Sequence, residues 1–166
     1  ELEDRIVFPI TDISGKVVVF VARHTLSAGN PRYVNYPPGV RIPVFPIIVE
    51  DRSNHIVLVE GIFDFLNVYD KGLKNAVCTF GTNTLQSDTK AKLQPFKTQG
   101  VTHVFILYDG DNAGREAANK IKPQIEEMDL IVEIIKLQDD QDPGDLSQEE
   151  VDSIKEYVYG KSNSQS

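Results

Sequence analysis

The sequence contains one cysteine, one methionine and no tryptophan. A lone Cys78 cannot build a disulfide framework or a cysteine-based zinc site. The apolar runs are short, for example 56–59 and 104–108, whereas a membrane span needs about 20 apolar residues. The acidic opening at residues 1–4 is unlike a signal peptide, and it lacks an initiator methionine. We therefore expect that this sequence is a piece of a longer protein, and that the piece itself has neither a disulfide framework nor a membrane span.

The remaining composition is that of an ordinary globular chain. It has 166 residues, of which 40% are hydrophobic, 25% charged and 8% aromatic. A chain of this length and composition can bury a core, so disorder, collagen and coiled coil are excluded as its main class. The length fits one compact domain, or one domain with a small neighbour.

The net charge of −8 is unevenly distributed. Residues 5–49 carry five basic side chains and one acidic side chain, whereas residues 109–166 carry fifteen acidic and six basic side chains. An acidic whole argues against indiscriminate coating of nucleic acid. A basic region beside an acidic one is compatible with phosphate substrates handled through metal ions, although charge alone favours the simpler explanation of solvated surfaces.

The first part, residues 1–51, is predicted to be a small β-rich subdomain. Residues 5–10 and 16–22 are rich in β-branched side chains and flank the turn material of residues 12–15, which predicts a hairpin. Residues 27–46 hold five prolines, which exclude a long helix and predict a long loop. Loops of this length in compact domains are often functional.

The second part, residues 52–159, alternates strands and helices. The predicted strands are His55–Val59, 76–80, 103–108 and 131–135. The predicted helices are Ile62–Asp70, 87–97, 113–128 with a kink or break near Pro123, and 148–157. Such alternation predicts an α/β fold with a four-stranded, mainly parallel sheet covered by helices on both faces. Residues 160–166 are predicted to be a disordered tail.

Carboxylates follow three of the four predicted strands, at the sheet edge where active sites of such folds form. Glu60 follows the first strand with Asp64 one helical turn later, and Asp109 and Asp111 follow the third. Asp142 and Asp145 come a few residues after the fourth. Crowded carboxylates are unfavourable unless a cation neutralises them, and hard oxygen ligands favour magnesium or manganese. The pattern therefore predicts a site for one or two divalent ions suited to phosphoryl or nucleotidyl transfer.

Other motif families fit less well. An EF-hand loop starting at Asp109 fails at Ala113 and Lys120, and a haloacid-dehalogenase phosphatase places its Asp-x-Asp pair after the first core strand. Neither a P-loop nor a Gly-x-Gly-x-x-Gly fingerprint is present, so a P-loop NTPase is excluded and dinucleotide binding has no support.

The chain resembles the Toprim domain of DnaG-type primases over residues 5–157. The motifs that carry the resemblance are Glu60-Gly61-Ile62-Phe63-Asp64, Gly81-Thr82 and Asp109-Gly110-Asp111-Asn112-Ala113-Gly114-Arg115, together with Phe8-Pro9-Ile10 and Pro31-Arg32-Tyr33-Val34-Asn35 in the first part. The chain departs from the primase pattern at Gly144, where the family often has an aspartate, so a second ligand there would have to be Asp145. The stretch 37–46 aligns poorly, and Arg41 has no assigned role.

The resemblance implies metal-dependent, template-directed synthesis of RNA primers by a nucleotidyltransferase. Glu60, Asp109 and Asp111 would be the catalytic ligands of one to three Mg²⁺ or Mn²⁺ ions, with Asp64, Asp142 and Asp145 as additional ligands and no organic cofactor. The residues implied to bind nucleotide or nucleic acid are Arg23, Arg32, Tyr33, Asn35, Gly61, Gly114 and Arg115.

The same resemblance implies the partners. They would be single-stranded DNA template, ribonucleoside triphosphates and a replicative helicase that binds a region outside this sequence. The location would be the cytoplasm, and no membrane would be involved. Two alternatives remain open: a Toprim nuclease or topoisomerase-like phosphodiester enzyme using the same metals, and a non-catalytic nucleotide- or nucleic-acid-binding module.

Overall fold

The computed structural model describes residues 2–26, 28–51 and 53–163, which form two sheets. The strands are β1 (Arg5–Thr11), β2 (Val17–His24), β3 (Tyr33–Tyr36), β4 (His55–Val59), β5 (Ala76–Cys78), β6 (His103–Ile106) and β7 (Ile131–Ile134). The helices are α1 (Ile62–Asp70), α2 (Thr82–Gln86), α3 (Thr89–Thr98), α4 (Asn112–Glu126) and α5 (Gln148–Asn163), with a 3₁₀ turn at Pro143–Asp145.

The first sheet is antiparallel, in the order β1-β2-β3. The predicted hairpin of β1 and β2 is confirmed. Its turn is held by Asp12, whose Oδ1 accepts hydrogen bonds from the Ser14 backbone N (2.9 Å), the Ser14 hydroxyl (2.6 Å) and the Lys16 backbone N (3.1 Å). One carboxylate oxygen thus accepts hydrogen bonds from three donors of the turn and stabilises it.

The prediction of an uninterrupted loop over residues 27–46 is wrong, because β3 lies inside it. β3 is only four residues long and pairs antiparallel with β2, so its strand geometry comes from tertiary pairing rather than from a local signal. Pro31 and Pro37 flank it and, lacking backbone N–H groups, restrict it to a short edge strand. The pairing sets Tyr33 beside Arg23.

The predicted four-stranded, mainly parallel sheet is confirmed; it is parallel throughout, and its strand order is β5-β4-β6-β7. Its strands point alternate side chains to two apolar layers. One layer packs against α2, α3 and α4, and the other against α1 and α5. β4 is buried along its whole length, as expected of a central strand covered on both faces. Among the described helices, none has both the length and the apolar character to cross a bilayer.

The second predicted helix, over 87–97, corresponds to α3, and the short helix α2 before it was not predicted. α2 contains threonine and asparagine, which are weak helix formers, and it is anchored by the fully buried Leu85. β5 and β6 are also shorter than the predicted 76–80 and 103–108.

The predicted break at Pro123 is absent, since α4 runs unbroken through it. Proline removes one helical hydrogen bond, but Ala118, Ile121 and Ile125 bury the apolar face of this helix in the core and hold it together. α5 extends to Asn163, whereas the sequence predicted a disordered tail from Gly160. Residues 164–166 lie outside the described residues.

Candidate active site

The candidate site lies where the carboxyl ends of the central parallel strands face the antiparallel sheet. From β4 the chain passes through α1 to β5 on one side of β4, and β6 then pairs with β4 on its other side. The strand order therefore reverses between β4 and β6, and the crevice at their carboxyl ends is the topological switch point. A cavity of about 860 Å³ occupies this position. Its acidic wall is formed by Glu60, Asp64, Asp109, Asp142 and Asp145, and its opposite wall includes Arg23, Arg32, Tyr33, Asn35 and Phe63.

Three carboxylates form the centre of the acidic wall. Asp64, Asp109 and Asp142 each offer one oxygen, and these oxygens all lie within 4.8 Å of one another. Asp109 Oδ1 is buried and accepts no hydrogen bond from any described residue. Bringing such groups together in a half-buried crevice is unfavourable while all are ionised.

The pKa values of two of these carboxyl groups are raised by burial and by the neighbouring charges. Burial, followed by the charge of Asp142, raises the pKa of Asp64 to about 7. Burial, followed by the charges of Asp142, Glu60 and Asp111, raises the pKa of Asp109 to about 6. Both groups therefore change protonation close to neutral pH in the metal-free protein, which is typical of functional carboxylates.

Local backbone geometry fixes two of the three carboxylates. At the start of α1, Asp64 Oδ2 accepts a hydrogen bond of 2.6 Å from the backbone N of Gly61. In the 3₁₀ turn, Asp142 Oδ1 accepts a hydrogen bond of 2.6 Å from the backbone N of Gly144. Each bond occupies one oxygen and leaves the carboxylate's other oxygen for a further partner.

Two glycines allow the chain around Asp109 to pack without side chains. A Cβ on Gly110 would stand 1.9 Å from the carbonyl oxygen of Gln138, and a Cβ on Gly114 would stand 2.3 Å from the carbonyl oxygen of Asp109. Both obstacles are backbone atoms, which cannot rotate away. Glycine is thus required at position 110 by the segment after β7, and at position 114 by the close packing of α4 against the end of β6.

Asp111, Gly114 and Arg115 lie outside the set of residues that line the cavity. Asp111 is exposed and caps α4, its Oδ1 accepting a hydrogen bond of 2.7 Å from the Gly114 backbone N. Arg115 pairs with the carboxylate of Asp139. Arg41, which had no assigned role, also lies elsewhere and forms an ion pair of 2.8 Å with Asp88.

The wall opposite the carboxylates is basic and aromatic. Arg23 lies over the ring of Phe63, with its guanidinium carbon 4.3 Å from the ring centroid, and its Nη1 donates to the Tyr33 hydroxyl at 3.3 Å. Arg32 and Asn35 are exposed along the same wall. The sequence analysis gave Phe63 no role of its own and missed this contact; the position of Phe63 directly before Asp64 was the available signal.

These residues fit a divalent cation of the hard class. Every candidate ligand is a carboxylate oxygen, and no cysteine or histidine belongs to the described cluster. The buried, unpartnered Asp109 Oδ1 is the kind of atom that a cation would satisfy. Asp64, Asp109 and Asp142 are the residues that could hold it, with Glu60 and Asp145 on the same wall.

A parallel α/β sheet with a carboxylate cluster at its switch point defines the class of this protein. Within that class, the chain belongs to the Toprim-like family, which matches residues 57–147. Residues 1–40 match a second family, the N-terminal domain of the DNA primase catalytic core. The sequence-based resemblance to the Toprim domain of DnaG-type primases is thereby confirmed, whereas the boundary predicted at residue 51 stays a prediction.

Similar proteins share this architecture. A DNA primase of Aquifex aeolicus is 30% identical over 153 residues, which cover 87% of this chain and 30% of the relative. A solved DNA primase domain from Pseudomonas aeruginosa superposes with a TM-score of 0.73 at 27% identity, covering 94% of this chain and 50% of that one. A DnaG primase catalytic domain bound to single-stranded DNA superposes with a TM-score of 0.69 at 24% identity, covering 95% of this chain and 51% of that one. The chain thus spans about a third of the length of the Aquifex relative.

Proposed function

We propose that this chain is the catalytic core of a DNA primase, which synthesises RNA primers on a DNA template with the help of divalent metal ions. The observation that carries the proposal is one cavity with a carboxylate cluster on one wall and arginines on the other. Nucleotidyl transfer needs both: cations at the reacting phosphate and basic groups along the nucleic-acid and triphosphate backbone. The similarity of both parts of the chain to primases supports the same conclusion.

The acidic wall would hold the metal. We assign the metal-binding role to Asp64, Asp109 and Asp142, with Glu60 and Asp145 on the same wall. Asp111, which lies outside the cavity lining, is a further candidate. The charge of Asp111 already acts on Asp109, which supports placing it near the same ions. Magnesium or manganese, when bound, would lower the pKa of the primer 3′-hydroxyl and stabilise the charge of the leaving pyrophosphate.

The opposite wall would position the substrates. Arg23 and Arg32 carry the positive charge that phosphates of nucleotide or template need, and Arg23 is held in place by Phe63 and Tyr33. Tyr33 and Asn35, neighbours on β3, would contact base or ribose. Gly61 presents its backbone at the cavity without a side chain, which leaves room for a phosphate beside the carboxylates.

The partners follow from this reaction. They are a single-stranded DNA template and ribonucleoside triphosphates, with a replicative helicase bound by a region outside this chain and the cytoplasm as the compartment. Support for the template comes from the similar primase domain bound to single-stranded DNA. The family resemblance supports the helicase and the compartment.

A primer-synthesis assay tests the proposal. The chain, and the full-length protein that contains it, are incubated with single-stranded DNA, labelled ribonucleoside triphosphates and magnesium or manganese. We expect labelled RNA that depends on template and metal, and none from Asp109→Asn. The matched control is Asp70→Asn, the same change at an exposed position of α1.

Three results would tell against primase. Metal-dependent cleavage of DNA or RNA without synthesis would identify a Toprim nuclease. Nucleotide binding without any turnover by the full-length protein would identify a binding module. Full activity of Asp109→Asn would remove the carboxylate cluster from the reaction.

A further inference from the structure

Asn67 lies on α1 one helical turn beyond Asp64 and faces the 3₁₀ turn that follows β7. Its side-chain nitrogen donates a hydrogen bond of 2.9 Å to the carbonyl oxygen of Pro143 and one of 3.1 Å to that of Leu146. These two bonds connect positions more than 75 residues apart in the chain, and they bracket the turn that begins at Asp142. A side chain outside the cavity lining thus holds the segment that supplies one of the three clustered carboxylates.

The orientation of the Asn67 amide is determined by its surroundings. Both partners on one side are carbonyl oxygens, which only accept, so the amide nitrogen must face them. On the other side, Lys71 Nζ donates to Asn67 Oδ1. All three contacts agree with a single orientation, and an amide is the group that can donate to two acceptors while accepting from a cation.

The turn has few other anchors near Asp142. Leu146 inserts into the apolar layer beneath α1 and α5, and the backbone N of Gly110 donates to the carbonyl oxygen of Gln141 at 2.8 Å. These contacts hold the two ends of the segment. The Asn67 bonds reach the carbonyl of Pro143, the residue after Asp142, and that of Leu146, and so tie the turn to α1. Without them, the carbonyls of Pro143 and Leu146 would lose partners in a half-buried environment.

We propose that Asn67 is a positioning residue, which docks the Pro143–Asp145 turn onto α1 and so fixes the Asp142 carboxylate at cation-binding distance from Asp64 and Asp109. The inference rests on the proposed function, because it assumes that these carboxylates bind a divalent ion. Asn67 itself would touch neither the ion nor a substrate. Its removal should therefore loosen the turn first and weaken cation binding as a consequence.

The test compares Asn67→Ala with Gln148→Ala. Gln148 makes the same kind of bond, from a side-chain amide to the backbone carbonyl of Lys71 (3.0 Å), but between α5 and α1, away from the cavity. Manganese affinity is measured by electron paramagnetic resonance of the free ion, and amide hydrogen exchange of residues 144–147 is measured on the metal-free proteins. We expect about tenfold weaker manganese binding and about tenfold faster exchange in this segment for Asn67→Ala, and neither change for Gln148→Ala. Asn67→Ser, which retains one donor, should lie between.

Wild-type manganese affinity in Asn67→Ala would overturn the positioning role, whatever the exchange shows. Unchanged exchange in residues 144–147 would overturn the docking step. If the wild-type protein bound no manganese even with a nucleoside triphosphate present, the proposed function would fail instead, and the docking by Asn67 would be decided by the exchange measurement alone.

Discussion

The guanidinium of Arg23 stacks on the ring of Phe63 at 4.3 Å, which joins the basic wall of the cavity to the helix that carries Asp64. Phe63 in turn packs edge-to-face against Phe8 of β1, with ring centroids 5.9 Å apart. The antiparallel sheet and the first helix after β4 are therefore in contact at the cavity itself. This contact fixes the distance between the arginine that would hold a phosphate and the carboxylates that would hold the metal.

The first prediction follows from that stack. Phe63→Leu should keep the apolar contact with Phe8 but remove the cation–π interaction, which is worth about 0.5–1 kcal/mol at a partly exposed site. We expect nucleoside triphosphate binding to weaken by a few-fold, as measured by fluorescence anisotropy, with primer synthesis partly retained.

Arginine variants provide the comparison for this prediction. Arg23→Ala or Arg32→Ala should weaken template binding. Each should also make the fall of log affinity with log salt concentration less steep, by about one unit of slope, because one phosphate contact is lost. Arg41→Ala removes the same charge outside the cavity and should leave both nucleotide binding and the salt slope nearly unchanged. Equal effects of Arg41→Ala and Arg23→Ala would contradict a specific basic wall.

The second prediction concerns pH. In the metal-free fold, the pKa values of Asp64 (about 7) and Asp109 (about 6) are raised above the usual value near 4. Between about pH 4 and pH 7 the folded protein thus binds more protons than the unfolded chain, so its free energy of unfolding should fall as pH rises through this range. Urea unfolding in the presence of a chelator measures this trend, which Asp64→Asn and Asp109→Asn should each flatten.

Cation binding should show the opposite trend with pH. A divalent ion binds the ionised carboxylates, so its affinity should increase on the order of a hundredfold between pH 5.5 and pH 8 if both groups must lose a proton. Calorimetric titration with manganese measures it. An affinity that does not change with pH would place the ion away from Asp64 and Asp109.

The third prediction tests why the chain has glycine at position 114. Gly114→Ala introduces a Cβ 2.3 Å from the Asp109 carbonyl oxygen, so α4 must shift away from the end of β6. We expect a loss of about 1–3 kcal/mol in the free energy of unfolding. Manganese binding should weaken while most of the helix content is retained. Gly160→Ala, at an open position within α5, is the control; it should leave manganese binding unchanged and should not lower the free energy of unfolding, since alanine favours a helix more than glycine does.

The secondary structure was largely predictable because the hydrophobic pattern carries it. β4 and α1 have the predicted bounds, and the parallel sheet with helices on both faces follows from the alternation of apolar segments. β3 was not predictable, because four residues between prolines become a strand only by pairing with β2. The length of α5 was missed since a polar terminal turn carries little apolar signal.

The candidate site was predictable in composition but not in arrangement. All the acidic residues named from the sequence lie near the ends of the parallel strands, since the fold brings those ends together. Spacing alone could not show that Asp64 and Asp142 meet at Asp109, because that depends on how the turn after β7 docks on α1. Nor could it show that Asp111 caps α4.

The fourth prediction separates the two roles open to Asp111. Asn is as good a helix cap as Asp, so Asp111→Asn should leave the free energy of unfolding within about 0.5 kcal/mol of wild type. Asp111→Ala should lose about 1 kcal/mol through loss of the cap. If Asp111 also contributes to the metal site, both variants should lose primer synthesis. An Asp111→Asn protein with wild-type activity would restrict this residue to capping.

The central claim is that Asp109 and its neighbours bind the metal ions of nucleotidyl transfer. Anomalous scattering from crystals grown with manganese and a ribonucleoside triphosphate tests it most directly. We predict a manganese peak within about 2.0–2.3 Å of carboxylate oxygens of Asp109 and of Asp64 or Asp142, and its loss in Asp109→Asn. Manganese bound only elsewhere, or an unchanged peak in Asp109→Asn, would contradict the account.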